Sequence, residues 1–230
     1  MKRLSILSVL VGLSACSVSQ TAPDSYSAGP TWGTVVDRET QQPIKGALVI
    51  ALWELEGGRG IEGGRSSNFK VAEALTDERG EFHMEGWGPL PIPTNGLLDK
   101  YDPLVYVFKS GYVPAAHMND KFAARYSRVG LQVRDSAYNG KVTALERYKG
   151  PPKDYALTVG FLAANLSNVF VGTKCRWKEI PKTVRTLDDE AKRERTEGIV
   201  PMIGTSANIL LMQKQCEPTD QFLKAYREAY

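Results

Sequence analysis

Hydrophobic positions change their spacing near residue 150. Before that point, short apolar or alternating runs are separated by turns rich in glycine, proline and asparagine, which is typical of β-strands. After Pro151 and Pro152, apolar residues recur every three or four positions, as on one face of a helix. The pattern predicts a mainly β fold, with a β-sandwich over 31–150 and a C-terminal α-helical extension over 151–230.

Several short segments of the first half have the composition of strands. Asn139-Gly140 separates two of them and is a strong signal for a tight hairpin, whereas the proline-bearing stretch 87–103 predicts a long loop. Strands are predicted over 33–37, 46–53, 69–76, 81–84, 103–108, 131–134 and 141–145. The sandwich core is predicted to contain Val35, Val49, Trp53, Phe82, Val105 and Val107.

The second half predicts helices. Apolar residues at 155, 159, 162, 166 and 169 define one helix face, and 182–197 predicts a second helix with Val184, Leu187 and Ala191 on its apolar stripe. The pairs Asp188–Lys192 and Asp189–Arg193 are spaced to interact along that helix. Two further helices are predicted over 205–215 and 219–230.

The N-terminus has the pattern of an export signal. Lys2 and Arg3 precede an apolar run over 4–13 that is too short to span a bilayer. The run ends in Leu13-Ser14-Ala15-Cys16, which resembles a bacterial lipoprotein signal. The resemblance implies cleavage after Ala15 and a diacylglycerol on Cys16; the alternative is an ordinary secretory leader with a chance cysteine.

Residues 16–30 are small, polar and proline-bearing, and they predict a flexible tether between the lipid and the sandwich. Many such bacteria retain lipoproteins in the inner membrane through an aspartate after the lipidated cysteine. Ser17 stands at that place here. The predicted location is therefore the outer membrane, with the protein facing the periplasm.

Charge and cysteine content narrow the classes of partner. The chain has 29 basic and 26 acidic residues, and removal of the leader leaves an excess of one basic residue. This near-neutrality argues against a nucleic-acid binder. With Cys16 acylated, Cys175 and Cys216 remain, and an oxidising periplasm favours a disulfide between them. The alternative is two buried free thiols.

The β half contains four short motifs whose order and spacing match those of a known domain family. Together they resemble the carboxypeptidase regulatory-like domain, which implies a transthyretin-like β-sandwich of about seven strands over residues 31–115. The motifs are Gly33-x-Val35-x-Asp37, Gln42-Pro43-Ile44-x-Gly46-Ala47-x-Val49, Thr76-Asp77-x-x-Gly80-x-Phe82 and Lys109-x-Gly111-Tyr112. Residues after 150 lie outside the resemblance.

The sequence contains no recognisable catalytic constellation. A zinc carboxypeptidase needs a His-x-x-Glu pair and a distant histidine, but the third residue after His83 is Gly86 and the third after His117 is Asp120. No phosphate-binding loop or nucleophile elbow occurs. Lys121, Arg125, Arg128 and Arg134 predict a solvated basic face, with contact to anionic lipid headgroups as the alternative. We expect no catalytic residue, cofactor or metal.

Three functions remain. The first is a non-catalytic binding or scaffolding module of the envelope, held by its N-terminal lipid and facing an envelope protein partner or ligand. The second is an accessory subunit of an envelope enzyme or secretion complex, which an exposed apolar patch on the helices would favour. The third is a hydrolase, which a concave pocket with converging polar groups would favour.

Overall fold

The computed structural model of this 230-residue chain describes residues 25–56, 67–91, 97–99, 101–120, 131–166, 175–201 and 223–224. The predicted mainly β fold is confirmed: a β-sandwich carries a helical C-terminal part. The strands are β1 (Ser25–Ala28), β2 (Thr31–Asp37), β3 (Leu48–Glu56), β4 (Ser67–Leu75), β5 (Glu81–Met84), β6 (Trp87–Pro91), β7 (Leu97–Leu98), β8 (Leu104–Phe108), β9 (Ala115–His117), β10 (Leu131–Arg134) and β11 (Lys141–Leu145). The helices are α1 (Pro152–Asn165), a 3-10 helix (Arg176–Glu179) and α2 (Pro181–Thr196).

The strands form three sheets. One has the order β10-β1-β6, the second β11-β2-β5, and the third β4-β3-β8-β9, with β7 also paired to β3. Most neighbours are antiparallel, but β1 with β10 and β2 with β11 are parallel. The sheets of β1 and β2 share one hydrophobic core with the inner face of the β3 sheet.

Strand β3 is buried on both faces, which explains its uninterrupted apolar sequence. Val49, Ala51 and Trp53 point into the sandwich core. The alternate residues Leu48, Ile50 and Leu52 point the other way and pack in a second core with the helices. All six predicted core residues are confirmed as buried: Val35, Val49, Trp53, Phe82, Val105 and Val107.

The hairpin predicted around Asn139-Gly140 is wrong, although both strands exist. β10 pairs with β1 and β11 pairs with β2, each in parallel, so the two strands belong to different sheets. The side chain of Asn139 explains why: it donates to the Pro30 carbonyl (2.9 Å) and accepts from the Trp32 N–H (3.2 Å). The turn is therefore fastened to the β1–β2 connection, where the chain passes from one sheet to the next.

Two other expectations about connecting segments need correction. The predicted tether 16–30 does not stay irregular to its end, because Ser25–Ala28 forms the central strand of the first sheet and Tyr26 is fully buried. The predicted loop 87–103 contains strand β6, which pairs with β1, and the short strand β7. In both segments, tertiary pairing outweighs a composition that is poor in strand-forming residues.

The two described α-helices match their predicted positions. In α1, Tyr155, Val159 and Leu162 are buried as expected, and in α2 the stripe of Val184, Leu187 and Ala191 is buried as well. The opposite face of α1 leaves Leu157 40% and Phe161 68% exposed, one turn apart.

Charged pairs on α2 follow the prediction in part. Lys192 contacts Asp188 at 2.6 Å, as expected. Asp189 instead lies near Arg185, whereas Arg193 binds Glu190 and Glu197. Two further residues, Leu223 and Lys224, are helical, whereas the predicted helix 205–215 lies outside the described residues.

Among the described residues, no helix combines the length and the hydrophobicity required to traverse a bilayer. The predicted leader, the lipid site Cys16 and the glycine-rich stretch 57–64 lie outside the described residues.

Candidate functional site

A small pocket lies in the seam between the edge strands β9 and β11. The chain segments next to these strands are joined by a bridge between Tyr112 and Arg147, and the Val113 N–H donates to the Glu146 carbonyl (2.9 Å). The two strands then leave a cavity of about 200 Å³ between them, which we name the seam pocket. Its lining residues are Pro103, Ala116, His117, Met118, Asn119, Ser136, Tyr138 and Lys141.

A hydrogen-bonded chain of three side chains lies at the seam pocket. His117 Nε2 is 3.1 Å from the Thr143 hydroxyl, which in turn is hydrogen-bonded to the Tyr138 hydroxyl. The rings of His117 and Tyr138 meet edge to face, with centroids 5.1 Å apart. Thr143 and Tyr138 are buried. The imidazole of His117 is therefore held in place through Nε2, and its second nitrogen, Nδ1, takes no part in these hydrogen bonds.

Asn119 fixes the two sides of the pocket to each other. Its amide nitrogen donates to the main-chain carbonyls of Asp102 (2.6 Å) and Asp135 (2.9 Å), and its amide oxygen accepts from the Ala137 N–H (3.0 Å). These bonds connect the end of β9 to the segment that carries Tyr138. Because Asn119 is itself buried, the pocket walls are held by the protein interior.

Positive charge dominates the electrostatics of the seam pocket. Burial, together with the nearby Lys141 charge, lowers the pKa of His117, so the imidazole is neutral at pH 7. None of the lining residues is a carboxylate. Behind the pocket, burial raises the pKa of Asp102 to about 8; this carboxyl accepts the Glu54 N–H at 2.5 Å.

A second polar cluster surrounds the buried carboxylate of Asp37 and is structural. Asp37 accepts from the N–H groups of Thr40 (3.0 Å) and Glu39 (2.9 Å), from the Tyr112 hydroxyl (2.9 Å) and from Arg147 Nε (2.7 Å). The Thr40 bond, above all, holds the pKa of Asp37 well below its usual range. With both oxygens bound by the protein, this carboxylate offers no site to a ligand.

A third cluster joins α2 to the sandwich. Glu190 accepts from the Ser110 hydroxyl (2.6 Å) and from Arg193 Nε (3.0 Å). One turn later, Glu194 is fully buried, and neither of its carboxylate oxygens has a hydrogen-bond partner in the described part of the chain. Burial, with the Glu190 charge adding, raises the pKa of Glu194 to about 7.

The structure also describes three other residues that were considered in the sequence analysis, namely Cys175, His83 and Arg134. Cys175 is disulfide-bonded; its predicted partner Cys216 lies outside the described residues, so the pairing itself stays a prediction. His83 is exposed on β5 beside Glu85 (3.3 Å). Arg134 is buried rather than solvated, which corrects that part of the predicted basic face.

Sequence reasoning missed the surroundings of His117. The residue ends the short edge strand β9, and its neighbours Tyr138 and Thr143 are distant in sequence, so no local spacing signals the cluster. Among the described residues, no group of three or more histidine, cysteine, aspartate or glutamate side chains could hold a metal ion.

No family model and no curated protein matches the chain. Among solved structures, it resembles 3-chlorocatechol 1,2-dioxygenase from Rhodococcus opacus at 15% identity and a TM-score of 0.27, over 56% of this chain and 62% of that one. A catechol 1,2-dioxygenase variant from Acinetobacter radioresistens gives 17% identity and a TM-score of 0.25, over 56% and 54%. A 9R-lipoxygenase from Cyanothece gives 12% and 0.25, over 70% of this chain and 25% of that one.

The chain thus spans less than two thirds of each of these three structures. Likenesses at such TM-scores assign neither a family nor an activity to this chain.

Proposed function

We propose that this chain is a lipid-anchored protein of the bacterial outer membrane that acts as a non-catalytic binding module in the periplasm. The observation that carries the proposal is the sequence Leu13-Ser14-Ala15-Cys16 after a basic start and a short apolar run. The β-sandwich supports it, since such scaffolds carry binding sites at their edges and loops. The disulfide at Cys175 fits an oxidising compartment.

The geometry of the seam pocket favours binding over hydrolysis. The hydroxyl next to His117 belongs to Thr143, which is buried and hydrogen-bonded to Tyr138. A nucleophile has to reach a substrate carbonyl, and this hydroxyl faces the protein interior. The pocket thus offers converging polar groups without an accessible activated nucleophile.

Lipid attachment is tested by labelling with palmitate in a Gram-negative host. We expect label on the wild-type chain and its recovery with the outer membrane. The Cys16→Ser variant should carry no label and leave the membrane fraction. Cys216→Ser is the matched control, since it also removes one thiol but should keep the label. Equal labelling of Cys16→Ser and wild type would refute lipid anchoring.

One observation favours the accessory-subunit alternative. Leu157 and Phe161 expose apolar surface on one face of α1, as an interface to an envelope protein would require. The test is cross-linking in intact cells followed by detergent extraction, which compares Phe161→Ser with Lys153→Ser on the same helix. A cross-linked partner that is lost only in Phe161→Ser supports this alternative, whereas identical cross-linking patterns exclude a role for Phe161.

A further inference from the structure

We propose that the seam pocket binds small organic monocarboxylates, whose carboxylate lies between Lys141 and His117. The inference deepens the proposed function and rests on it, because a non-catalytic binding module needs a ligand. It depends on residues of the sandwich alone and not on the N-terminal lipid.

The charges at the pocket call for an anion with a single negative charge. Lys141 lines the cavity, and no ion pair joins it to a carboxylate within the described residues. By contrast, Lys45 binds Glu78, and Lys192 binds Asp188. Since His117 is neutral at pH 7, the pocket carries about one positive charge. A carboxylate matches this charge, whereas a phosphate monoester carries nearly two negative charges.

The hydrogen-bond donors are placed to receive a carboxylate. When Tyr138 donates to Thr143 and Thr143 donates to Nε2 of His117, each hydroxyl proton is used once, and Nδ1 of the ring carries the remaining proton. His117 and Lys141 both line the cavity, so Nδ1–H and the Lys141 ammonium are the two donors considered for the ligand. Hydrogen bonds to a charged acceptor are stronger than neutral ones, so this pair is the main source of affinity.

The volume limits the size of the ligand. About 200 Å³ holds about six or seven water molecules and lies below the range of pockets for drug-sized ligands. An acid with a few carbon atoms fits, and a sugar or peptide of several units does not. Asn119 and the buried Tyr138–Thr143 pair fix the wall that carries His117, so this wall loses little ordering entropy on binding.

The test uses the full chain in detergent, labelled with [13C]histidine. The chain has only two histidines, so His117 and His83 give two imidazole signals, and His83 on the exposed face of β5 is the internal reference. Sodium butyrate is added at constant ionic strength against sodium chloride, with inorganic phosphate as a separate arm. Each pH titration reports the pKa of both imidazoles with and without the anion.

We expect butyrate to move the His117 signal with saturation and to raise its pKa, because a bound anion favours the imidazolium. His83 should not respond. Lys141→Gln should weaken butyrate binding at least about tenfold, as expected for loss of a charge-assisted hydrogen bond. Lys45→Gln is the matched control and should bind as wild type does. Because Lys141 is exposed, its replacement keeps the fold, and the unchanged His83 signal verifies this.

An unmoved His117 signal in butyrate would overturn the proposal, as would equal affinity in Lys141→Gln and wild type. Tighter binding of phosphate than of butyrate would overturn the assignment to monocarboxylates. These outcomes are distinct from failure of the proposed function, because palmitate labelling reports anchoring independently of the pocket. A chain that is anchored but ignores butyrate would remain a binding module with another ligand.

Discussion

Glu73 of β4 holds the start of α2 against the sandwich, and its replacement by glutamine is expected to loosen the helical extension. The Glu73 carboxylate accepts from the N–H groups of Lys182 and Thr183 and from the Thr183 hydroxyl, each at 2.7 Å. The first turn of a helix has N–H groups without partners inside the helix. Here a strand residue distant in sequence takes the place of a local N-cap, since Ile180 makes no side-chain cap bond.

The magnitude follows from these contacts. Glutamine keeps one acceptor oxygen but places an amide NH₂ against a buried N–H donor, so one of the two backbone bonds is lost and its donor stays unsatisfied. A lost hydrogen bond to a charged group costs about 1.5–3 kcal/mol, and removal of an N-cap costs about 0.5–2 kcal/mol. Since the lost bond is itself the cap, the two costs do not add, and we expect Glu73→Gln to destabilise the docked helix by about 1.5–3 kcal/mol. Burial raises the pKa of Glu73. At acidic pH the expected loss of stability therefore lies toward the lower end of this range.

Hydrogen exchange with mass spectrometry measures this change directly. Peptides that cover Pro181–Thr196 should lose protection in Glu73→Gln, while peptides from β2 and β5 keep theirs. Glu81→Gln is the matched control, because it removes a carboxylate from an exposed strand position and should change stability by no more than about 0.5 kcal/mol. If protection of α2 is the same in both variants, Glu73 does not anchor the helix and the reasoning is wrong.

Three further expectations concern stability. Burial raises the pKa of Asp102 to about 8, so the free energy of unfolding should fall as pH rises from about 4 towards 8. In Asp102→Asn, the urea midpoints at pH 5 and pH 8 should differ less than they do in the wild type. The predicted Cys175–Cys216 bridge closes a loop of about 40 residues, so Cys216→Ser should lower the stability by roughly 4 kcal/mol. Peptide mapping without reduction that finds another partner for Cys175 would contradict the predicted bridge. Trp53→Ala should cost about 3–5 kcal/mol in the sandwich core, measured by thermal unfolding.

The fold could be predicted from the sequence where the pattern is local. The period of apolar residues located β2, β3, β5 and β8 and the two long helices close to their observed positions. Pairing could not be predicted in the same way, because the partner of a strand is set by the whole sandwich. Asn139-Gly140 has the composition of a hairpin turn, yet its flanking strands follow β1 and β2 into different sheets.

The candidate site was beyond the reach of the sequence for a related reason. His117, Thr143 and Tyr138 meet only because β9 and β11 diverge next to the Tyr112–Arg147 bridge. No motif marks such a meeting, and a single histidine at the end of a three-residue strand resembles any surface histidine. In contrast, the unbroken apolar run over 46–53 indicates that β3 is buried on both faces. One face packs in the sandwich core and the other packs against the helices.

The strand β1 links the proposed anchor to the proposed binding site. With Ser25 already in the sheet, only residues 17–24 separate it from Cys16, which allows about 30 Å at full extension. The chain leaves β1 through Pro30 and Trp32, which bind Asn139 of the turn that carries Tyr138. If Cys16 carries a lipid, this span limits how far the first sheet can lie from the membrane surface, and an insertion within 17–24 would lengthen it without changing the seam pocket.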